Sequence, residues 1–180
     1  MMNQIFNPDD FSFKTSGIKA NEFIMAINTL SGKRSFILDN KGKEYLLEGN
    51  VDNTQIGQAL LDCLDASRRV LPIDDMDLFD YKQSIERYKN WVSRLQEFVG
   101  FKSKAKLFRP MFSLTVIEQN GTIFIQPSRQ EKPEAWDGES IAESDYIQVS
   151  KDSSPEKIGA AVRLALMKCK SAFGAVLNFE

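Results

Sequence analysis

A single α+β domain is the fold class this chain predicts, and three observations predict it. A strand followed by a capped helix occurs twice, near residues 45–69 and 146–171. Between them stand a long helix with an unbroken apolar stripe and a hairpin built on Asn120-Gly121. The expected architecture over residues 1–180 is a mainly antiparallel sheet of about five or six strands, with helices packed mostly on one face.

Taken in order, residues 1–20 are weakly patterned; Phe6, Phe11 and Phe13 suggest a segment that packs onto the body. Asn21 to Leu30 reads as a strand, Ser31-Gly32-Lys33 as a turn, and Ser35 to Leu38 as the partner strand. Tyr45 to Leu47 adds a short strand. A helix over about 53–69 follows, then a loop from Val70 to Asp80. Tyr81 to Val99 is a strong helix: Ile85, Tyr88, Val92, Leu95 and Val99 alternate steps of three and four, and Gly100 is a natural stop. Phe112 to Ile117 and Thr122 to Gln126 form a hairpin, because Asn-Gly supplies the positive φ values a two-residue turn needs. The turn also explains why Asn120-Gly121-Thr122 matches a glycosylation acceptor. Gln126 to Ile141 is a long polar connection, of a length that is functional or mobile when it occurs in a compact domain. Tyr146 to Val149 is the last strand.

The final helix carries the fullest set of start signals. Ser153 or Ser154 can cap it, Pro155 suits its first turn, and Glu156 completes a capping box with Ser153. Ile158, Ala161, Val162, Ala165, Leu166 and Cys169 share one face. The same phrase occurs in the first helix, where Ile56-Gly57, Ala59, Leu60 and Leu64 match Ile158-Gly159, Ala161, Val162 and Leu166. Two copies are too few for a solenoid; they indicate a duplication, or two helices that solve one packing problem over one sheet.

Composition narrows the chemistry. The 180 residues suffice for one domain with a real core, and a net charge of -2 gives no field that favours nucleic acid. The chain has no histidine, which removes the commonest general base and zinc ligand. It has no nucleophile elbow, P-loop or dinucleotide-binding glycine turn. Cys63 and Cys169 lie apart in apolar helical patterns, as reduced, buried thiols do. No stretch resembles a signal peptide or a membrane span. The expectation is a cytosolic protein with no catalytic residues, cofactor or metal.

Surface charge is the remaining lead. Asp74, Asp75, Asp77 and Asp80 crowd one loop, and Glu134, Asp137 and Glu139 surround Trp136 in a second acidic stretch. An aromatic among carboxylates on a proline-bearing loop suits a protein-binding anchor for a basic partner, although a tryptophan there equally folds back into a core. Two other readings compete. The Asp74–Asp80 loop could hold a metal in a carboxylate enzyme, but it lacks the glycine and distant glutamate of a common calcium loop. The run Lys102, Lys104, Lys106 and Arg109, flanked by Phe101 and Phe108, could form a weak nucleic-acid-binding module, or simply a solvated edge or a lysine-protected edge strand.

Three stretches then carry a family resemblance: NTQIGQALLDCLDASR (Asn53 to Arg68), YKNWVSRLQEFVGFKSKAKLFRPM (Tyr88 to Met111), and IFIQPSRQEKPEAWDG followed by SSPEKIGAAVRLALMKC (Ile123 to Gly138, Ser153 to Cys169). In their order and spacing the chain resembles the immunity proteins of bacterial contact-dependent growth inhibition (CDI) systems, within a group once known only as a domain of unknown function. The resemblance implies a cytoplasmic, non-enzymatic protein. It would bind and neutralise the C-terminal toxin domain of a cognate exoprotein, with no membrane and no nucleic acid as partner. Many such toxins are nucleases, often acting on transfer RNA, and a basic substrate cleft would match the acidic stretches here. Blocking that cleft, or binding beside it, is the implied mechanism. The family shares no catalytic motif, so no residue role is carried over, and Trp136 and Gly138 can equally hold the fold.

Overall fold

The computed structural model describes residues 7, 12–175 and 177. Its centre is a seven-stranded, antiparallel sheet. Strands β1 (Lys14–Ala20), β2 (Ile24–Ser31), β3 (Ile37–Leu38) and β4 (Glu44–Glu48) lead into helix α1 (Asn53–Asp65). Three helices follow: α2 (Met76–Phe79), α3 (Tyr81–Val99) and α4 (Lys104–Phe108). Then come the hairpin β5 (Phe112–Gln119) and β6 (Thr122–Gln126), the small strands β7 (Arg129–Lys132) and β8 (Ala135–Asp137), strand β9 (Ile147–Ser150), helix α5 (Pro155–Lys168) and a terminal β10 (Lys170–Ser171). The main sheet runs β3-β2-β1-β5-β6-β9, with β4 also on the outer edge of β2; β10, β7 and β8 form a second small sheet.

The α+β class and the antiparallel sheet match the expectation, but the helices do not gather mostly on one face. Met25 and Ile27 of β2 belong to a core with Ile56, Leu60 and Leu64 of α1 and Ile158, Val162 and Leu166 of α5. The alternate residues Ile24 and Ala26 belong to a second core with Trp91, Val92 and Leu95 of α3 and Leu107 and Phe108 of α4. β2 is apolar on both sides, the pattern of a strand covered on both faces.

The repeated Ile-Gly phrase becomes a reciprocal contact. A Cβ on Gly57 would lie 1.8 Å from the Pro155 carbonyl oxygen, and one on Gly159 would lie 1.9 Å from that of Asn53. Arg163 reaches further along, donating to Asn53 Oδ1 at 2.9 Å and to the Val51 carbonyl. The contact partners thus move toward the start of α1 as α5 advances, so the helices pass in opposite directions, each pressing its glycine on the first turn of the other. Caps start both: Asp52 Oδ1 accepts from Gln55 N–H at 2.8 Å, and Ser154 Oγ from Lys157 N–H at 3.2 Å. At the hairpin, Asn120 and Gly121 take φ values of 53° and 79°, as the turn requires.

Other elements differ from the sequence reading. β1 occupies the centre of the sheet within the weakly patterned segment; its buried Thr15 and Ser16 hydroxyls donate to the Leu30 and Asn28 carbonyls. Phe13 is buried, whereas Phe6 and Phe11 lie outside the described residues. α1 ends at Asp65, short of residue 69, because Ser67 turns inward to donate to the Leu30 carbonyl at 2.6 Å. The basic run is the short helix α4, with Leu107 and Phe108 buried and Ser103 as its cap. The polar connection folds as β7 and β8, pinned by buried Gln130, whose amide donates to the Phe108 and Pro133 carbonyls.

Candidate interaction surface

The first acidic loop is a set of local stops and starts. Asp74 Oδ2 accepts from Leu71 N–H at 2.9 Å, closing the turn before α2. Asp80 caps α3, accepting from Gln83 N–H at 2.8 Å, and Asp77 accepts from the Gln83 side chain at 3.1 Å. These three carboxylates are exposed. Asp75 is buried: it caps α2 and accepts from Lys41 Nζ at 2.8 Å and Arg68 Nη2 at 3.0 Å. Arg68 also grips Asp39 with two bonds, of 2.8 and 3.0 Å. The Lys41 hydrogen bond, with help from Arg68, holds the Asp75 carboxyl down at about 2. Burial opposes the charge on Asp39, yet the bonds from Arg68, Ser31 and the Lys41 backbone hold its carboxyl low as well. Asp75 therefore ties the loop to the turn after β3 and to the segment after α1. Among the described residues, no three acidic or cysteine side chains come together to hold a metal.

The second acidic stretch closes on the body. Glu134 accepts from the Tyr88 hydroxyl at 2.6 Å and pairs with Lys104 at 3.0 Å. Trp136 folds back half-buried: its indole N–H donates to the Met111 carbonyl at 2.9 Å, its ring meets Phe108 edge-on, and the Lys19 ammonium lies 4.5 Å above it. Asp137 accepts from the backbone N–H groups of Glu139 and Ser140 at 2.8 and 3.3 Å, and Glu139 is exposed beside it. The cations in and just after α4 are likewise engaged, Lys106 over the Phe101 ring and Arg109 over Phe173.

Helix α3 brings the two acidic stretches together. Its N-terminus springs from the first, and Tyr88 at its middle touches the second. Only Trp91, Val92 and Leu95 of α3 are buried; the apolar stripe continues outward through Ile85 and Tyr81. Ile73, Met76 and Tyr81 are 85%, 75% and 78% exposed, an unusual density of bare apolar side chains beside Asp74, Asp77 and Asp80. Helical spacing puts Ile85 and Tyr88 in the apolar stripe of α3, and no sequence signal distinguishes Ile73 and Met76 from loop residues.

Beneath α3 the sheet is fixed by a polar chain. Trp91 donates to Asn28 Oδ1 at 3.0 Å, Asn28 donates to Glu44 at 2.9 Å, and Glu44 takes two bonds from Arg94. Beside that chain opens a groove of ≈ 290 Å³ between α3 and the sheet, lined by Leu30, Phe36, Leu38, Tyr88, Trp91 and Lys19. Burial lowers the Lys19 ammonium to about 8. Both thiols are pushed up by burial, Cys63 to about 12 and Cys169 to about 11, so neither is a nucleophile at neutral pH. No helix among the described residues is long and apolar enough to cross a membrane.

Comparison with known proteins places this arrangement. A family model described as CDI immunity protein matches residues 14–169. The immunity protein CdiI-YPIII of Yersinia pseudotuberculosis serotype O:3 (strain YPIII) is 37% identical over 167 residues, covering 86% of this chain and 94% of that protein. The solved CdiA-CT/CdiI toxin and immunity complex from Yersinia pseudotuberculosis contains a chain that superposes with a TM-score of 0.83 at 37% identity, over 88% of this chain and 98% of that one. A protein of unknown function from Neisseria meningitidis, NMB0488, superposes with a TM-score of 0.81 at 35% identity, over 92% of this chain and 99% of that one. An extended match to the family model and a relative of this similarity lead to one conclusion: the chain belongs to the CDI immunity protein family, whose members are not enzymes.

Proposed function

We propose that this protein binds the C-terminal toxin domain of its cognate CDI exoprotein in the cytoplasm of the receiving cell and neutralises it. On this reading the toxin is a nuclease, of the kind, frequent among CDI toxins, that acts on transfer RNA, and the protein blocks its basic substrate cleft or binds beside it. The observation that carries the partner is the likeness, at 37% identity and a TM-score of 0.83, to a chain solved in a toxin and immunity complex. The docking surface we assign is the outer side of α2 and the first half of α3. Ile73, Met76 and Tyr81 provide desolvated contact area, and Asp74 and Asp77 provide the acidic rim. Glu134, Asp137 and Glu139 extend the acidic border along α3, while Asp75, Asp80 and Trp136 hold the surface in shape. Bare apolar groups ringed by carboxylates suit a partner with apolar and basic groups on one face.

The test is co-purification with the toxin domain encoded beside this chain, followed by titration. Ile73→Ser with Met76→Ser is expected to weaken the complex by about 10-fold or more, and Asp74→Lys with Asp77→Lys to slow association and flatten its salt dependence. Wild-type protein that neither binds the toxin nor protects against it would remove the functional reading. Binding with unchanged affinity in both pairs would move the interface elsewhere.

A further inference from the structure

Lys19 borders the groove between α3 and the sheet, and its ammonium has no anion among the described residues. Lys19 donates to Ser113 Oγ at 2.6 Å and lies over the Trp136 ring. An ammonium has three donors, and no other acceptor for it occurs among the described residues. The remaining polar groups of the groove are largely committed: Asn28 bridges Trp91 and Glu44, and the Tyr88 hydroxyl donates to Glu134. The groove that Lys19 borders is walled by the apolar side chains of Leu30, Phe36, Leu38 and Trp91. A half-buried charge in such surroundings is costly unless paired.

We propose that the groove receives an acidic side chain of the bound toxin, with the Lys19 ammonium pairing its carboxylate. This rests on the reading of the chain as a toxin-binding protein. A lone cation between apolar walls matches a monoanion on an aliphatic stem; a nucleic-acid backbone is met by several cations in a row. The groove adjoins the docking surface, because Tyr88 lines the groove and its hydroxyl donates to Glu134 on the acidic border. One positive socket beside an acidic rim would fix the register of the complex, since a partner that offers only basic groups leaves it unpaired.

Pairing has a protonation signature. Cys169, from the chain after α5, acts on the Lys19 ammonium, and Tyr88, from α3, lines the same groove; both are pushed up chiefly by burial and stay neutral at pH 8. Free Lys19, at about 8, is partly neutral at slightly alkaline pH. A carboxylate beside it favours the charged form, so binding takes up protons and affinity falls as pH rises above that value. The experiment is calorimetric titration of the full chain with its toxin domain at slightly alkaline pH, in two buffers of different ionisation enthalpy. Wild type is expected to show buffer-dependent heat. Lys19→Met is expected to lose that dependence and about 30-fold or more in affinity. Lys19→Arg, charged at every pH, is expected to bind close to wild type with no proton uptake. Lys19→Met binding as tightly as wild type, or wild-type heat independent of buffer, would overturn the socket and leave the functional reading intact. Wild type that does not bind its toxin at all would overturn both. The proton uptake of wild type needs no substitution, so it decides the matter even if Lys19→Met folds poorly.

Discussion

Asp75 shows how one carboxylate in an acidic cluster differs from its neighbours. Asp74, Asp77 and Asp80 lie at the surface, whereas Asp75 turns inward to Lys41 and Arg68. Its folded carboxyl, at about 2, lies below the ordinary carboxylate value of 3.8. A depressed carboxyl adds stability above its unfolded value, and that stability is lost as pH falls toward the folded value. Asp75→Asn is therefore expected to melt below wild type at pH 7, with the difference closing between about pH 4 and pH 2. Thermal melts of both proteins across that range check it; a difference that persists undiminished at pH 2 would mean the carboxylate charge is not what matters. Sequence showed the cluster but not this distinction, because Asp75 finds its partners 34 residues upstream and 7 residues upstream. Trp136 is a similar case. Its placement depends on Met111, Phe108 and Lys19, none of them near it in the chain.

At the scale of elements, legibility followed the locality of the signal. Helices α3 and α5 and the β5–β6 hairpin are written in adjacent residues: a cap, a stripe, a stop, an Asn-Gly turn. β1 was not legible, because its buried positions include Thr15 and Ser16, whose burial depends on the carbonyls of β2. β7 was hidden in a polar run, anchored through Gln130 to a carbonyl 22 residues away. α4 is too short to show a helical period. The α1–α5 pair lies between these cases: the sequence displayed two equal phrases, and the structure shows why they are equal. Each helix must be slim where the other's first turn crosses it. Gly57→Ala would place its Cβ 1.8 Å from a carbonyl oxygen, so the helices must separate. The expected loss is about 1–3 kcal/mol or more, the range for forcing atoms into a packed core. Gly159→Ala is expected to behave alike. The double variant should lose less than the two losses combined, because the first substitution already opens the crossing. Denaturant melts of the three variants test this, and full additivity would show that the two contacts are independent.

The whole molecule divides its two sheet faces between stability and recognition. On one face α1 and α5 seal a continuous core from β2 to β9. On the other, α3 and α4 cover β2 and its edge, and the groove and the bare side chains of α2 and α3 remain open. The sheet separates the two layers, and β2 feeds both cores with alternate residues. Perturbations of the two faces should then be separable, since distant sites with no shared partners contribute independently. Gly57→Ala is expected to lower the melting temperature while the folded fraction binds the toxin with wild-type affinity. Ile73→Ser with Met76→Ser is expected to do the reverse, weakening binding with stability within about 0.5 kcal/mol of wild type, as for most surface changes. Paired melts and titrations of these variants and their combination test the division. If Gly57→Ala weakens binding while the protein remains folded, the α1–α5 layer communicates with the recognition face through β2, and the sheet is a coupling element between the two layers.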